Sequence, residues 1–397
     1  MDVNRLLERV IELGGSDLHL KVASPAMARI DGELVPIKER LLTENDLETL
    51  VSLVTELTPA KREGFYTHGE LDTAYMVDGV GRFRVNGYRQ RGAISFAFRF
   101  IPKEIPSFEK LGLPDGVARL AEEHRGLILV TGATGSGKST TLAAIVNSIN
   151  RARKHHIVTI EDPIEFVHDD WGCIVNQREV GIDTDSYSEG LRRVLRQDPD
   201  VILIGELRDQ ESAQAALQAS ESGHLVLSTL HTIDAAETIG RLVEFFPPEK
   251  QEMVRQILAG VLRGVISQRL LPKIDGGRVA AVEVMVNTAR IADLIRDGRQ
   301  DEITEALEDG EFHHMQSFSQ HLVRLVLDGL VEEEAAATAA SNRHDFEIAV
   351  KQALRRKRVA EEAEAAEPEG SGPDDAAGEG VPEEVEDVGL RLASSDQ

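Results

Sequence analysis

The chain has 397 residues, 41% hydrophobic and 28% charged, enough for two or three domains with sizeable cores. Lys and Arg number 44 against 69 Asp and Glu, and the net charge of -25 argues against a protein that coats nucleic acid. The one cysteine, Cys173, excludes an intrachain disulfide and a four-cysteine zinc site and reads as intracellular. No apolar run reaches the roughly eighteen residues of a membrane helix, and the start, Met1-Asp2-Val3-Asn4-Arg5 with Glu8 and Glu12 beyond it, is no signal peptide.

Residues 1–101 read as a small α+β unit. A helix is expected over about 2–13, ending at Gly14-Gly15, and strands over 16–21 and 27–30, with Asp31-Gly32 as a hairpin turn. A second helix spans 43–57 with Thr43 as its cap and Asp46 in the first turn. Strands follow over 82–88 and 94–101. In the last, Phe96, Phe98 and Phe100 alternate with Ala97 and Arg99, so the Phe face is buried and Arg99 points the other way. Pro102 and Pro106 open a linker, residues 102–116.

From residue 117 short apolar runs at 127–131, 157–160, 201–204 and 225–229 alternate with helical stretches. That is the pattern of a parallel sheet with crossover helices, whose ligands bind beyond the carboxyl ends of the strands. The residues after each run therefore belong together.

Gly132-Ala133-Thr134-Gly135-Ser136-Gly137-Lys138-Ser139-Thr140 fits the phosphate-binding loop G-x-x-x-x-G-K-[ST] after the first run. Its glycines let backbone N–H groups turn onto phosphates, Lys138 offers positive charge, and Ser139 offers a hydroxyl to Mg²⁺. The helix that follows, about 140–150, aims its positive end at the anion. After the second run come Glu161-Asp162-Pro163-Ile164-Glu165, either an acid that orients the attacking water or a turn cluster. After the third comes Gly205-Glu206-Leu207-Arg208-Asp209, about 70 residues beyond the first motif, where Glu206 can reach Mg²⁺. After the fourth comes His231, placed to sense ATP against ADP. His224 stands just before that run and either contacts nucleotide or makes a structural hydrogen bond; their seven-residue spacing is not that of a zinc pair.

These segments, with Ser16-Asp17-Leu18-His19-Leu20 and Arg29-Ile30-Asp31-Gly32, resemble the secretion and pilus motor ATPases, and within them the retraction ATPases of type IV pili. The resemblance covers about residues 1–350. It implies an α/β fold: a RecA-like P-loop NTPase domain with a parallel-rich sheet and C-terminal helices over 117–355, after a small PAS-like α+β domain. It implies ATP and Mg²⁺ as cofactors, a homohexameric ring with ATP at subunit contacts, a pilus platform protein of the inner membrane as partner, and a cytoplasmic place reached at the membrane through partners alone. Glu161 is then the catalytic base, Glu206 lies at Mg²⁺ and water, and Arg84 and Arg99 reach a nucleotide across the interface.

Assembly and secretion ATPases of this superfamily carry a long additional N-terminal domain and a four-cysteine zinc element, so a chain starting at the shared domain with one cysteine favours retraction. Arg290-Ile291-Ala292-Asp293-Leu294-Ile295-Arg296-Asp297 departs from the retraction family's Ala-Ile-Arg-Asn-Leu-Ile-Arg-Glu, which leaves an accessory retraction motor or another secretion-system ATPase as alternatives. A nucleic-acid translocase is more distant, given the acidic charge and 4% aromatic content. Residues 356–397 read as an acidic disordered tail: from 360 onward there are 13 acidic residues and one basic. Arg355-Arg356-Lys357-Arg358 reads as the end of a helix.

Overall fold

The computed structural model describes residues 1–366 apart from 31, 57, 102 and 103. Among the described residues, Met1–Val350 forms one compact unit and a second begins at Lys351.

The first unit holds two sheets. Six strands, β1 (Asp17–Lys21), β2 (Met27–Ile30), β3 (Glu33–Pro36), β4 (Glu70–Val77), β5 (Gly81–Gln90) and β6 (Ala93–Ile101), pair antiparallel in the order β3-β2-β1-β6-β5-β4. Their alternation sets which side is apolar. Leu18, Leu20, Phe83, Val85, Phe96 and Phe98 are buried with Leu7 of the helix Val3–Glu12, Leu47 and Leu50 of Glu44–Val54 and Phe65 of Pro59–His68. The alternate positions carry Asp17, Arg82, Arg84 and Arg99 on the opposite face. The expected cap is present: Thr43 Oγ1 accepts from Asp46 N at 3.2 Å while Asp46 accepts from Thr43 N at 2.9 Å. The hairpin between β2 and β3 is also present, pairing Ile30 with Glu33, although Asp31 lies outside the described residues. The helix expected to run to 57 ends at Val54, and the helix Pro59–His68 and strand β4 come as additions.

The second sheet contains β7 (Gly126–Thr131), β8 (His156–Glu161), β9 (Ile174–Glu179), β10 (Val201–Ile204), β11 (Leu225–Leu230), β12 (Leu262–Pro272) and β13 (Arg278–Val286), in the order β13-β12-β7-β11-β10-β8-β9. All neighbours run parallel except the β12–β13 pair. The α/β expectation of a parallel-rich sheet is met, with an antiparallel edge strand added. β7, β10 and β11 are buried along their whole length because helices cover both faces. One side packs Ile128 and Val130 on Leu142 and Ile145; the other packs Leu127 and Leu129 with Leu217 and Ile239.

The expected linker is not plain coil. The short helix Phe108–Leu111 lies within it and the helix Asp115–Ala121 begins before 117. The C-terminal expectation is corrected too. The helix Arg343–Ala366 runs through the basic cluster and through 356–366, which were assigned to the tail. Ala, Glu, Lys and Arg are strong helix formers, so a polar helix persists without apolar periodicity. Residues 367–397 of the expected tail lie outside the described residues. Among the described residues no helix is long and apolar enough to cross a membrane.

Candidate active site

β7 delivers the chain to Gly132, whose φ of +142° is open to glycine alone. A Cβ there would lie 2.4 Å from Gln268 O and 2.5 Å from Ser136 Oγ. Gly135 and Gly137 also have positive φ, and the helix Lys138–Ala152 starts at once. The loop is therefore wrapped tightly around a helix N-terminus. Lys138 Nζ folds across it, donating to Gly132 O at 2.8 Å and Ala133 O at 3.1 Å. Burial lowers its pKa, against the opposing pull of Glu206 and Glu165. Ser136 Oγ is buried without a partner among the described residues. A buried ammonium resting on carbonyls, an orphaned hydroxyl and the start of a helix together fit a polyphosphate.

Beside the loop opens a cavity of about 480 Å³. Thr134, Gly135, Gly137, Lys138, Ser139 and Thr140 line it with Glu161, Glu206 and His231. The acids arrive on neighbouring strands: Glu161 ends β8, and Glu206 follows β10, which pairs with β8. Burial raises the pKa of Glu161, although Thr159 Oγ1 donates to its Oε1 at 2.6 Å and Gln177 Nε2 at 3.1 Å. Arg208 Nε donates to Glu206 Oε2 at 2.8 Å, and His231 Nε2 lies 3.2 Å from Glu206 Oε1. His231 therefore meets Glu206 at the edge of the phosphate-loop cavity.

Glu165 was quoted only as part of its motif, yet it also lines this cavity. It and Glu206 are the two carboxylates whose charge acts on Lys138. Its spacing of four from Glu161 carried no signal, because a turn, not a helix, joins them. Tyr187 and Arg278 also line the cavity and were missed, and Arg208, there too, was named only within its motif.

Two expected site residues stand off this cavity within the chain. His224 stands at the opposite end of β11 from His231, where its Nδ1 lies 3.0 Å from both Ala219 O and Ser222 Oγ. A strand of six residues separates it from the cavity by about 20 Å, and within the chain it makes a structural hydrogen bond and does not line the cavity. Arg99 likewise stays off the cavity, with Nε donating to Asp17 Oδ1 at 2.8 Å. Arg84 lines an adjoining cleft with Asp162, Glu179 and Arg208.

A cation would fit the same site. No group of three or more His, Cys, Asp or Glu among the described residues could hold a metal by itself. Ser139 and Glu206 nevertheless face the phosphate loop, and a hard cation such as Mg²⁺ takes few protein oxygens when phosphates supply the others.

The family model described as Type II/IV secretion system protein matches residues 1–334. The chain belongs to this family. It is 45% identical over 346 residues to the Type IV pilus retractation ATPase PilT of Pseudomonas aeruginosa, covering 87% of this chain and 100% of that protein. It is 39% identical to the Type IV pilus ATPase PilU of the same organism, covering 88% and 92%. The crystal structure of the pilus retraction motor PilT with bound ADP superposes with a TM-score of 0.81 at 45% identity, over 87% of this chain and 99% of that one. The Legionella pneumophila ATPase DotB gives 0.76 at 31% identity, over 84% and 93%. Membership of the secretion family thus extends over both sheets of the first unit.

Proposed function

We propose that the chain is an ATP-hydrolysing motor that powers retraction of type IV pili. The observation that carries this is one cavity holding a phosphate loop, a buried lysine and carboxylates from adjacent strands, in a chain similar to PilT over nearly its whole length. The reading places residues 1–101 as a PAS-like domain, 102–116 as a connecting segment and the following residues as a RecA-like ATPase domain. It also places the motor as a homohexamer on the cytoplasmic side of the membrane, acting on a membrane platform protein and not on nucleic acid.

In this reading ATP phosphates exchange for the loop carbonyls now held by Lys138, and the loop N–H groups and the start of the helix Lys138–Ala152 bind them. Mg²⁺ held by Ser139 and Glu206 would neutralise charge on the β and γ phosphates. Glu161 takes the proton of the attacking water; burial raises its pKa, which makes its carboxylate a stronger proton acceptor. A second assignment gives this role to Glu165, because Lys138 feels its charge and it is exposed at the cavity. His231 reports on the γ-phosphate through Glu206. Arg84 and Arg99 supply cationic charge to a neighbouring subunit's nucleotide.

Similarity to PilU supports the alternative of an accessory retraction motor. Deleting the gene and counting surface pili tests the direction of force. Excess pili with lost twitching means retraction, whereas bald cells would overturn it. Excess pili on twitching cells would indicate the accessory role.

A further inference from the structure

Arg82 of β5 leaves the N-terminal sheet and pairs with Glu179 at the end of β9, at the edge of the second sheet. The pair is well shielded, with side-chain exposures of 15% for Arg82 and 3% for Glu179. The oxygen that Arg82 Nη2 reaches, Glu179 Oε2, also accepts from Ile164 N at 3.1 Å. Ile164 immediately precedes Glu165. Glu179 is also the register partner of Glu161, and Val180 N donates to Glu161 O at 2.8 Å. A single buried carboxylate therefore touches the N-terminal sheet on one side and the segment bearing both candidate bases on the other. The helix Pro59–His68 approaches the same turn, since a Cβ on Gly181 would lie 3.3 Å from Lys61 Cε.

We infer that Arg82 and Glu179 are positioning residues, which fix the Glu161–Glu165 segment against the phosphate loop according to where the N-terminal sheet stands. Neither touches the cavity that holds the phosphate loop. Their influence runs through Ile164 N. Shielding strengthens the link, because a charge-assisted bond gains in a low dielectric and the loss of one partner strands the other. A motor that turns hydrolysis into movement of its N-terminal part needs such a connection in both directions. Movement of β5 withdraws Arg82, frees the Glu179 carboxylate, and loosens the hydrogen bond that holds Ile164. The inference rests on the ATPase reading.

The test uses full-length protein and compares Arg82→Gln, Arg82→Lys, Glu179→Gln, the double Gln variant, and the exchange Arg82→Glu with Glu179→Arg. ATP turnover, the KM for ATP, ADP affinity and thermal melting are measured for each. Arg82→Gln is expected to lower kcat about 10- to 100-fold, the cost of a misplaced catalytic group. KM and ADP affinity should stay within about threefold, because the phosphate loop is untouched. Arg82→Lys should recover part of the rate, and the double variant should be no slower than Arg82→Gln, since both act on one link. The exchange is the sharpest arm. It restores opposite charges, so melting should recover, but a guanidinium cannot accept from Ile164 N, so kcat should stay low. Recovery of kcat along with melting would reduce the pair to a structural ion pair, and wild-type kcat in a folded Arg82→Gln protein would overturn the inference outright. A wild-type chain without ATP turnover would instead sink the ATPase reading, which keeps the two failures apart.

Discussion

Arg84 on β5 and Arg99 on β6 stand directly opposite each other, on the sheet face that points away from the apolar helices. Like charges at such a position repel. Asp17, the register partner of Arg99 on the far side, relieves only one of them. Burial alone would raise the pKa of Asp17, but hydrogen bonds from Ser16 and Arg99 outweigh it and hold the carboxyl low. Arg84 has no ion-pair partner among the described residues. The row is thus left with positive charge that an incoming phosphate can match.

If that phosphate belongs to a neighbouring subunit, Arg84→Ala and Arg99→Ala should each fold and bind ATP yet turn over slowly. An arginine supplied from a neighbour contributes about 10³-fold or more in rate. Mixing Arg99→Ala subunits with Lys138→Ala subunits should restore activity at interfaces that join an intact loop to an intact arginine. Single-turnover hydrolysis detects this even if steady rotation needs every site. No rescue in mixed rings verified by mass would remove the arginines from the interfacial site.

The carboxylates divide by environment. Glu161 is tied to Thr159 and Gln177, whereas Glu206 is held by Arg208 beside His231. Glu161→Gln should keep ATP binding and lose about 10²-fold or more in turnover, because the amide fills the same space and accepts protons poorly. Glu206→Gln should in addition shift the Mg²⁺ dependence. A full rate in Glu161→Gln with a collapsed rate in Glu165→Gln would transfer the base role to Glu165.

The residues that carry the phosphate chemistry were legible because their geometry is local. Gly132 to Thr140 gather the turn glycines and the helix start within nine residues, and the runs at 201–204 and 225–229 announce buried parallel strands. What escaped has no local signature. β9, Ile174–Glu179, is a mostly polar edge strand whose pairing partner β8 lies before it with no crossover helix between them. β12 follows the helix Pro248–Val261 without an intervening turn residue. The sequence left His224, just before its run, between a nucleotide contact and a structural hydrogen bond; the register of β11 against β7 puts it at the strand end away from the phosphate loop. The Arg82–Glu179 pair joins residues 97 apart, and nothing in either segment names the other.

A pH effect follows from Glu283 on β13. Its Oε1 accepts from Ala235 N at 2.9 Å, and burial pushes its pKa up to about 7, with that hydrogen bond opposing. A carboxyl raised in the folded state favours folding at pH below its unfolded value near 4.5, and that advantage is lost as pH rises through about 7. Glu283→Gln retains an acceptor for Ala235 N and cannot ionise. Relative to wild type, it should therefore gain stability between pH 5 and 8, by about 3 kcal/mol at the upper end. Chemical denaturation of both proteins across this range checks it; a difference independent of pH would show that Glu283 does not titrate there.

The central claim is that the loop around Lys138 binds ATP for hydrolysis, and phosphate release by purified wild-type and Lys138→Ala protein tests it most directly. Removing the ammonium leaves the β and γ phosphates without their main cation from the loop. The account predicts Mg²⁺-dependent phosphate release by the wild type, and turnover at background with weakened ATP binding in a variant that still melts cooperatively. Near wild-type turnover by Lys138→Ala, or no release by the folded wild type, would contradict it.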